Sequence, residues 1–222
     1  MSFRFKQFFI EDSKCAMKVG TDGVLLGAWA PTGTRILDVG TGSGLIARML
    51  MQRCPEAEVE GIDIDEEAVE QARENGVKAF VSSLQEWQGT YDLIVSNPPY
   101  FQNSLKNPDK GRQTARHTDT LSFAELIKHS ARLLTEDGQL ALILPAEAEN
   151  EIRQLAGAEG LYLTRVTRVY SKESKPARRV LMAFSRDNGM PGYRCSEDTL
   201  VLEDEKGGRS LPYQTLCRDF YL

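Results

Sequence analysis

Histidine is nearly absent: the 222-residue chain holds only His117 and His129. A histidine-rich metal centre is therefore excluded, no metal is expected, and a Ser–His–Asp triad would depend on one of those two. Cysteine is scarce and scattered. Cys15, Cys54, Cys195 and Cys217 form no C-x-x-C pair, so neither a metal site nor a disulfide scaffold is indicated. Reduced thiols in a cytoplasmic protein are the simpler reading. No apolar run approaches the roughly 18 residues that a membrane span requires. The apolar patch Phe8-Phe9-Ile10 stops at Glu11-Asp12, which is not the pattern of a signal peptide. An excess of positive charge is missing too. Lys and Arg number 27 against 32 Asp and Glu, a formal charge of -5. On average such a balance argues against nucleic acid as a partner.

What is present is a globular composition, 41% hydrophobic and 27% charged, at a length of one large domain or two small ones. No repeat or low-complexity linker divides it. From Arg35 to Leu144 short β-rich runs alternate with helical segments. Strands are expected at Arg35–Val39, Val59–Ile64, Val77–Val81, Tyr91–Ser96 and Gln139–Leu144. Helices are expected at Leu45–Arg53, Glu66–Glu74 and Phe123–Leu134. Ser122 and Glu125 make a capping box for the last of these. A further helix should run from Ala146 to about Ala158. Tyr162–Tyr170 and Arg179–Phe184 then follow without a crossover helix, which suggests an antiparallel pair at the sheet edge. A small strand at Thr199–Glu203 and a short helix at Tyr213–Tyr221 complete the reading. Alternation of this kind predicts an α/β, doubly wound, mostly parallel sheet with helices on both faces.

The chemistry should sit at the carboxyl ends of the strands. After the first core strand stands Asp38-Val39-Gly40-Thr41-Gly42-Ser43-Gly44. Its G-x-G-x-G spacing is neither the dinucleotide fingerprint nor a P-loop. It resembles motif I of the class I S-adenosylmethionine-dependent methyltransferases, whose loop passes under the methionine part of the cofactor. The resemblance gives the fold a specific form, a Rossmann-like seven-stranded sheet with the antiparallel edge pair. Some 20 residues on, Asp63 ends the second strand, where an acid can accept hydrogen bonds from both ribose hydroxyls. Asp65 is better placed to cap the helix from Glu66. Ser83, followed by Leu84, holds the place where this superfamily often has an acid for the adenine amino group.

Asn97-Pro98-Pro99-Tyr100 is the most specific signal. It resembles the N-P-P-Y motif of methyltransferases that alkylate a planar amino nitrogen. The lone pair of such a nitrogen is delocalised, so it is a poor nucleophile. The Asn97 side-chain oxygen and the Pro98 carbonyl can accept its two N–H bonds and free the lone pair for attack on a sulfonium methyl. The prolines, Pro99 included, fix φ and hold these acceptors rigid. Tyr100 can stack on the substrate plane. No strong general base is needed.

With these motifs stand Phe5-Lys6-Gln7-Phe8-Phe9, Cys15 to Gly23, Leu25 to Trp29, Arg116-His117 and Arg179-Val180-Leu181. Together they resemble the bacterial tRNA1(Val) adenine-N6-methyltransferase family over essentially the whole chain. The resemblance implies S-adenosylmethionine as cofactor, S-adenosylhomocysteine as product, and adenine 37 beside the valine anticodon as target. It places Thr21 and Asp22 at the cofactor's methionine end, with Asp38, Gly40, Thr41, Gly42, Gly44, Asp63, Ser83, Leu84 and Asn97 as further cofactor contacts. The block at Thr21 also reads as a capped amphipathic helix with Thr21 as N-cap, and the two roles are compatible.

Charge is unevenly spread. Residues 164–186 hold seven basic residues against Glu173 alone. Segments 1–18 and 101–120 each hold four against two. Local positive charge of this kind is the footprint of a phosphate backbone. The RNA contacts expected are Lys106, Arg112, Arg116, His117, Arg165, Arg168, Lys172, Lys175, Arg178 and Arg179, and all three segments should face the Asn97 side. His129 reads as structural. One methyltransferase domain should fill 1–222, with an extension at 1–34, a catalytic core at 35–186 and a second extension at 187–222, acting as a monomer or weak homodimer. The alternatives are a protein glutamine methyltransferase, an rRNA or DNA amino-methyltransferase, and an RNA-binding protein with a vestigial cofactor fold. Thirty-four residues before the first core strand are too few for the helical domain usual in the first of these.

Overall fold

The structure is a computed structural model that describes residues 2–99, 121–186 and 195–221. A hairpin of β1 (Ser2–Arg4) and β2 (Phe9–Glu11) leads to α1 (Thr21–Trp29). The core then runs β3 (Arg35–Val39), α2 (Leu45–Arg53), β4 (Glu58–Asp63), α3 (Glu66–Glu74), β5 (Lys78–Val81) and β6 (Tyr91–Ser96). After residue 121 come α4 (Phe123–Leu133), β7 (Leu134–Pro145), α5 (Glu149–Ala158), β8 (Leu161–Tyr170), β9 (Ala177–Arg186), β10 (Ser196–Val201) and α6 (Leu211–Cys217).

Successive strand residues point to opposite faces, and the sheet sorts them accordingly. Ile36, Leu93, Ala141 and Leu181 join α1, α2, α6 and the hairpin's Phe5 and Phe8 in one core layer. Their neighbours Leu37, Ile94, Leu142 and Met182 join α4 and α5 in the other. Local chemistry fixes the helix ends. Asp65 caps α3 by accepting from the Glu67 and Ala68 N–H groups, and Ser122 with Glu125 forms a capping box at α4.

The sheet order is β10-β8-β9-β7-β6-β3-β4-β5. All adjacent pairs are parallel except those involving β9, which runs against both β7 and β8. The Rossmann-like sheet and its antiparallel pair are present, with one strand more than the seven expected. That strand, β10, forms from 196–201 rather than 199–203 and lies outside β8, so the antiparallel pair is not the edge. β7 also begins five residues early, because Leu134 pairs with Tyr91 before residues 135–138 slip the register and Gln139 meets Leu93.

Helix α1 departs from the sequence reading. Its N-cap is Gly20, with no side-chain cap, and Thr21 is the first helical residue. Nor is it amphipathic, since Gly23, Val24, Leu25, Leu26, Gly27 and Trp29 are all buried. The reason is close packing. A Cβ added at Gly23 would stand 2.9 Å from Leu45, and one at Gly27 would stand 2.6 Å from the Met49 sulfur. Two glycines one turn apart let α1 lie directly on α2, while its other side meets α6.

Candidate active site at the switch point of the sheet

From β3 the chain winds outward to β4 and β5, then crosses back to β6 and on to β7. The order therefore reverses between β3 and β6, and ligands in such sheets bind in the crevice outside that point. The loops after both strands carry the motifs found in the sequence. Ser96 ties the two ends together by donating to the Val39 carbonyl at 2.8 Å.

The glycine loop turns tightly at Gly40, Gly42 and Gly44, whose φ values are 70°, 54° and 79°. The Gly40 and Thr41 N–H groups donate to the Ile62 carbonyl at 2.9 and 3.0 Å, which docks the loop on β4. Asp38 lies wholly buried beneath it. One carboxylate oxygen accepts from the Thr41 hydroxyl at 2.8 Å and from the Ala47 N–H at 3.2 Å. The other oxygen has no hydrogen-bond partner among the described residues. Burial pushes the Asp38 carboxyl up to about 7. Asp38 and Thr41, expected as cofactor contacts, are thus turned inward and shape the loop from below. Gly40 and Gly42 face outward, where an added Cβ would meet no atom within 4 Å. The backbone there is bare enough for a ligand to approach closely.

Asp63 ends β4 beside this loop. It accepts from the Gly42 N–H at 3.0 Å and from the Asp65 N–H at 3.1 Å. Ser83 is committed to its own turn, accepting from the Glu86 N–H at 3.3 Å and donating to the Glu86 carboxylate at 3.2 Å. Leu84 is buried in the core layer below the sheet. Both side chains, expected at the cofactor, are thus engaged within the protein itself. Sequence reasoning missed Ile64, which is 57% exposed between the two acids and stands at the strand ends with Val81. An apolar residue framed by Asp63 and Asp65 was the available signal.

Asn97 follows β6 directly, with Pro98 buried and Pro99 exposed. The amide nitrogen of Asn97 lies 3.9 Å from the Met17 sulfur. That contact comes from a strap, residues 12–19, whose anchoring was not foreseen. Buried Asp12 accepts from the Val19 N–H at 3.0 Å, and Lys18 donates back to the Asp12 carbonyl at 2.6 Å. Ser13 and the Lys14 N–H donate to Gln71 of α3, and Lys14 pairs with Glu70 and Glu74. Cys15 in this strap is buried near Asp63, and burial pushes its thiol up to about 11, which leaves it protonated and inert.

The basic segments divide. Because β9 alone is reversed, the turn between β8 and β9, residues 171–176, lies at the carboxyl edge with the Asn97 loop. Lys175 and Arg178 stand exposed there without an ion pair among the described residues. The rest of the segment is largely spent on structure. Arg168 grips Glu149 with two nitrogens at 2.8 and 2.7 Å and reaches Glu197 at 3.0 Å. The Arg165 guanidinium lies 4.4 Å from the Trp29 ring centroid and 3.5 Å from Asp198. Lys172 pairs with Glu203 at 3.3 Å. Arg179 donates to Asp22 at 2.8 Å, joining a residue expected at RNA to one expected at the cofactor. Arg186 lies at the opposite edge and donates to the Ala131 carbonyl. Arg165 and Arg168, expected at RNA, are thus each engaged in ion pairs while their side chains stay partly exposed. Tyr100, Lys106, Arg112, Arg116 and His117 lie outside the described residues.

The fold and site together define a class I methyltransferase architecture. A predicted O-methyltransferase of Agrobacterium tumefaciens superposes with a TM-score of 0.67 at 20% identity, covering 90% of this chain and 96% of that one. A putative class I S-adenosylmethionine-dependent methyltransferase of Listeria monocytogenes superposes with a TM-score of 0.59 at 13% identity, covering 86% and 70%. The family model of the methyltransferase small domain matches residues 17–157. Sequence relatives narrow the assignment. The tRNA1(Val) (adenine(37)-N6)-methyltransferase of Parabacteroides distasonis is 45% identical, over 99% of this chain and 97% of its own length. That of Proteus mirabilis is 39% identical over 99% and 93%. The chain belongs to the tRNA1(Val) (adenine(37)-N6)-methyltransferase family.

Proposed function

We propose that the protein transfers the methyl group of S-adenosylmethionine to the N6 amino group of adenine 37 in tRNA1(Val), releasing S-adenosylhomocysteine. The observation that carries this reading is the placement of Asn97-Pro98 across the switch point from the bare glycine loop, in a chain whose relatives bear that name.

The residues present fit the cofactor. Gly40 and Gly42 leave open the space that any side chain would fill, and Asp63 stands beside them as acceptor for the ribose hydroxyls. Exposed Ile64 offers an apolar face for the adenine ring. Asp22, held by Arg179, serves the methionine end. Bound there, S-adenosylmethionine supplies an electrophilic methyl on a sulfonium. The protein's own work is on the nucleophile. The Asn97 side-chain oxygen and the Pro98 carbonyl accept the two N–H bonds of the target amino group, which localises its lone pair. These acceptors are set before the substrate arrives, so no reorganisation accompanies the reaction. Tyr100, next in the chain, stacks on the adenine. The target base must leave its own stack to reach these groups.

Lys175 and Arg178 at the carboxyl edge, with Lys106, Arg112, Arg116 and His117 of the segment after Tyr100, contact the phosphates. The protein acts in the cytoplasm as one domain, a core at 35–186 with extensions at 1–34 and 187–222. The test is methyl transfer from labelled S-adenosylmethionine to tRNA1(Val) lacking the modification, followed by nucleoside mass analysis. N6-methyladenosine at position 37 with wild type, and its loss with Asn97→Ala, is the expected result. Equal transfer by both proteins, or none, refutes the mechanism.

A further inference from the structure

Beside α1, and separate from the glycine loop, the structure holds a cavity of about 470 Å³. Its walls come from three parts of the chain: Phe3 of the hairpin, the start of α1 at Gly20 and Thr21, and the turn and tail at 203–221. Thr21, expected at the cofactor, lines this cavity. The chemistry of the walls is specific. The Arg209 guanidinium lies 4.1 Å from the centroid of Tyr221 and 5.9 Å from that of Tyr213. Phe3, 38% exposed, meets the Tyr221 ring edge-on at 6.3 Å. A planar cation on an aromatic face, with a second exposed ring beside it, is a stacking platform that takes any base.

Position strengthens the assignment. Glu203 of the cavity wall pairs with Lys172 of the β8–β9 turn, so the cavity adjoins the edge that carries Lys175 and Arg178. Asp22, one residue past Thr21, pairs with Arg179 of the same edge. We propose that this cavity is a second nucleotide subsite, in which an unstacked base of the substrate RNA, other than the methylated adenine, packs on the outer face of the Arg209 guanidinium, which Tyr221 backs. The inference rests on the RNA reading of the function. It gives the tail a recognition role beside an edge where Arg165, Arg168 and Arg179 are engaged in ion pairs.

The experiment uses the full chain and an anticodon stem-loop RNA of tRNA1(Val) sequence, with 4-thiouridine placed singly at each loop position except 37. Irradiation and peptide mapping locate each crosslink, and methylation of the same RNA is followed in parallel. At least one position should crosslink to the peptides holding Phe3 or Arg209. Arg209→Ala and Phe3→Ala should each raise the KM for RNA about tenfold, with kcat and the Kd of S-adenosylmethionine unchanged. Arg209→Lys, which keeps the charge but not the flat face, should resemble Arg209→Ala. If both alanine variants melt as wild type does and keep its KM, the subsite is refuted. Methylation without these crosslinks also refutes it while leaving the function intact. Crosslinks without methylation keep the subsite and sink the function.

Discussion

Replacing Asp38 by asparagine tests whether the glycine loop rests on a carboxyl group that titrates near neutrality. The side chain is fully buried, and burial, the dominant influence, pushes it from 3.8 up to about 7 against the opposing bonds from Thr41 and Ala47. The sign follows from proton counting. Between these two values the folded state holds a proton that the unfolded chain has released, so stability falls as pH rises. Above about 7 both states are ionised and the fall stops. Each pH unit within the window is worth about 1.4 kcal/mol. From pH 5.5 to pH 7 the wild type should therefore lose about 2 kcal/mol through this one group. Asparagine keeps an acceptor for Thr41 and Ala47 and does not titrate. Urea unfolding of both proteins without cofactor, at pH 5.5, 6, 7 and 8.5, gives the difference curve. The Asp38→Asn variant should gain on the wild type by about 2 kcal/mol across the window and then run parallel. Parallel curves throughout would show that Asp38 is ionised in the fold, and the argument for a buried carboxyl titrating near neutrality would fail.

Other outcomes follow from the same geometry. Asn97→Ala should lower kcat on the order of 10²–10³-fold, measured at saturating S-adenosylmethionine and tRNA. Gly27→Ala drives a methyl to 2.6 Å from the Met49 sulfur, and should reduce unfolding free energy by roughly 1–3 kcal/mol. Lys175→Ala with Arg178→Ala should weaken RNA binding and reduce the salt slope of log K by about 2, while leaving the melting temperature alone. Arg168→Ala should do the reverse. It strips two charge-assisted bonds from Glu149, so roughly 1–3 kcal/mol of stability goes and the salt slope stays.

The sequence made some of this legible because the determining contacts are local. Asp65 caps a helix that starts one residue later, and Ser122 needs only Glu125 to complete its box. The glycine spacing and Asn97-Pro98-Pro99 are likewise contiguous, and each appears where a strand end puts it. What stayed hidden depends on partners far along the chain. Arg168 reads as a free cation until Glu149 and Glu197 arrive, 19 and 29 residues away. Thr21 reads as a helix cap, but Gly20 takes that place and Thr21 turns to the tail. Asp38 looks like a ligand contact because it borders the glycines, yet strand alternation sends it inward. The hairpin at β1 and β2 escaped notice because its residues read as a motif rather than as strands, and the burial of Phe5 and Phe8, which stack on each other, is completed by helices and a tail far along the chain.

The outermost strand has a consequence for the order in which the molecule is made. Residues 196–221 follow, in the chain, everything against which they pack: β10 joins a finished β8, and Lys6 receives its carbonyl partner from Phe220. Chains fold during synthesis from the N-terminal side, so the crevice between β3 and β6 can be complete while the tail is still within the ribosome. Until it emerges, Phe5 lacks its cover from Tyr221, and the nascent enzyme carries an exposed aromatic seam at its N-terminus. A chain stalled before residue 196 would be expected to bind cofactor and to be a preferred client for chaperones that recognise such seams.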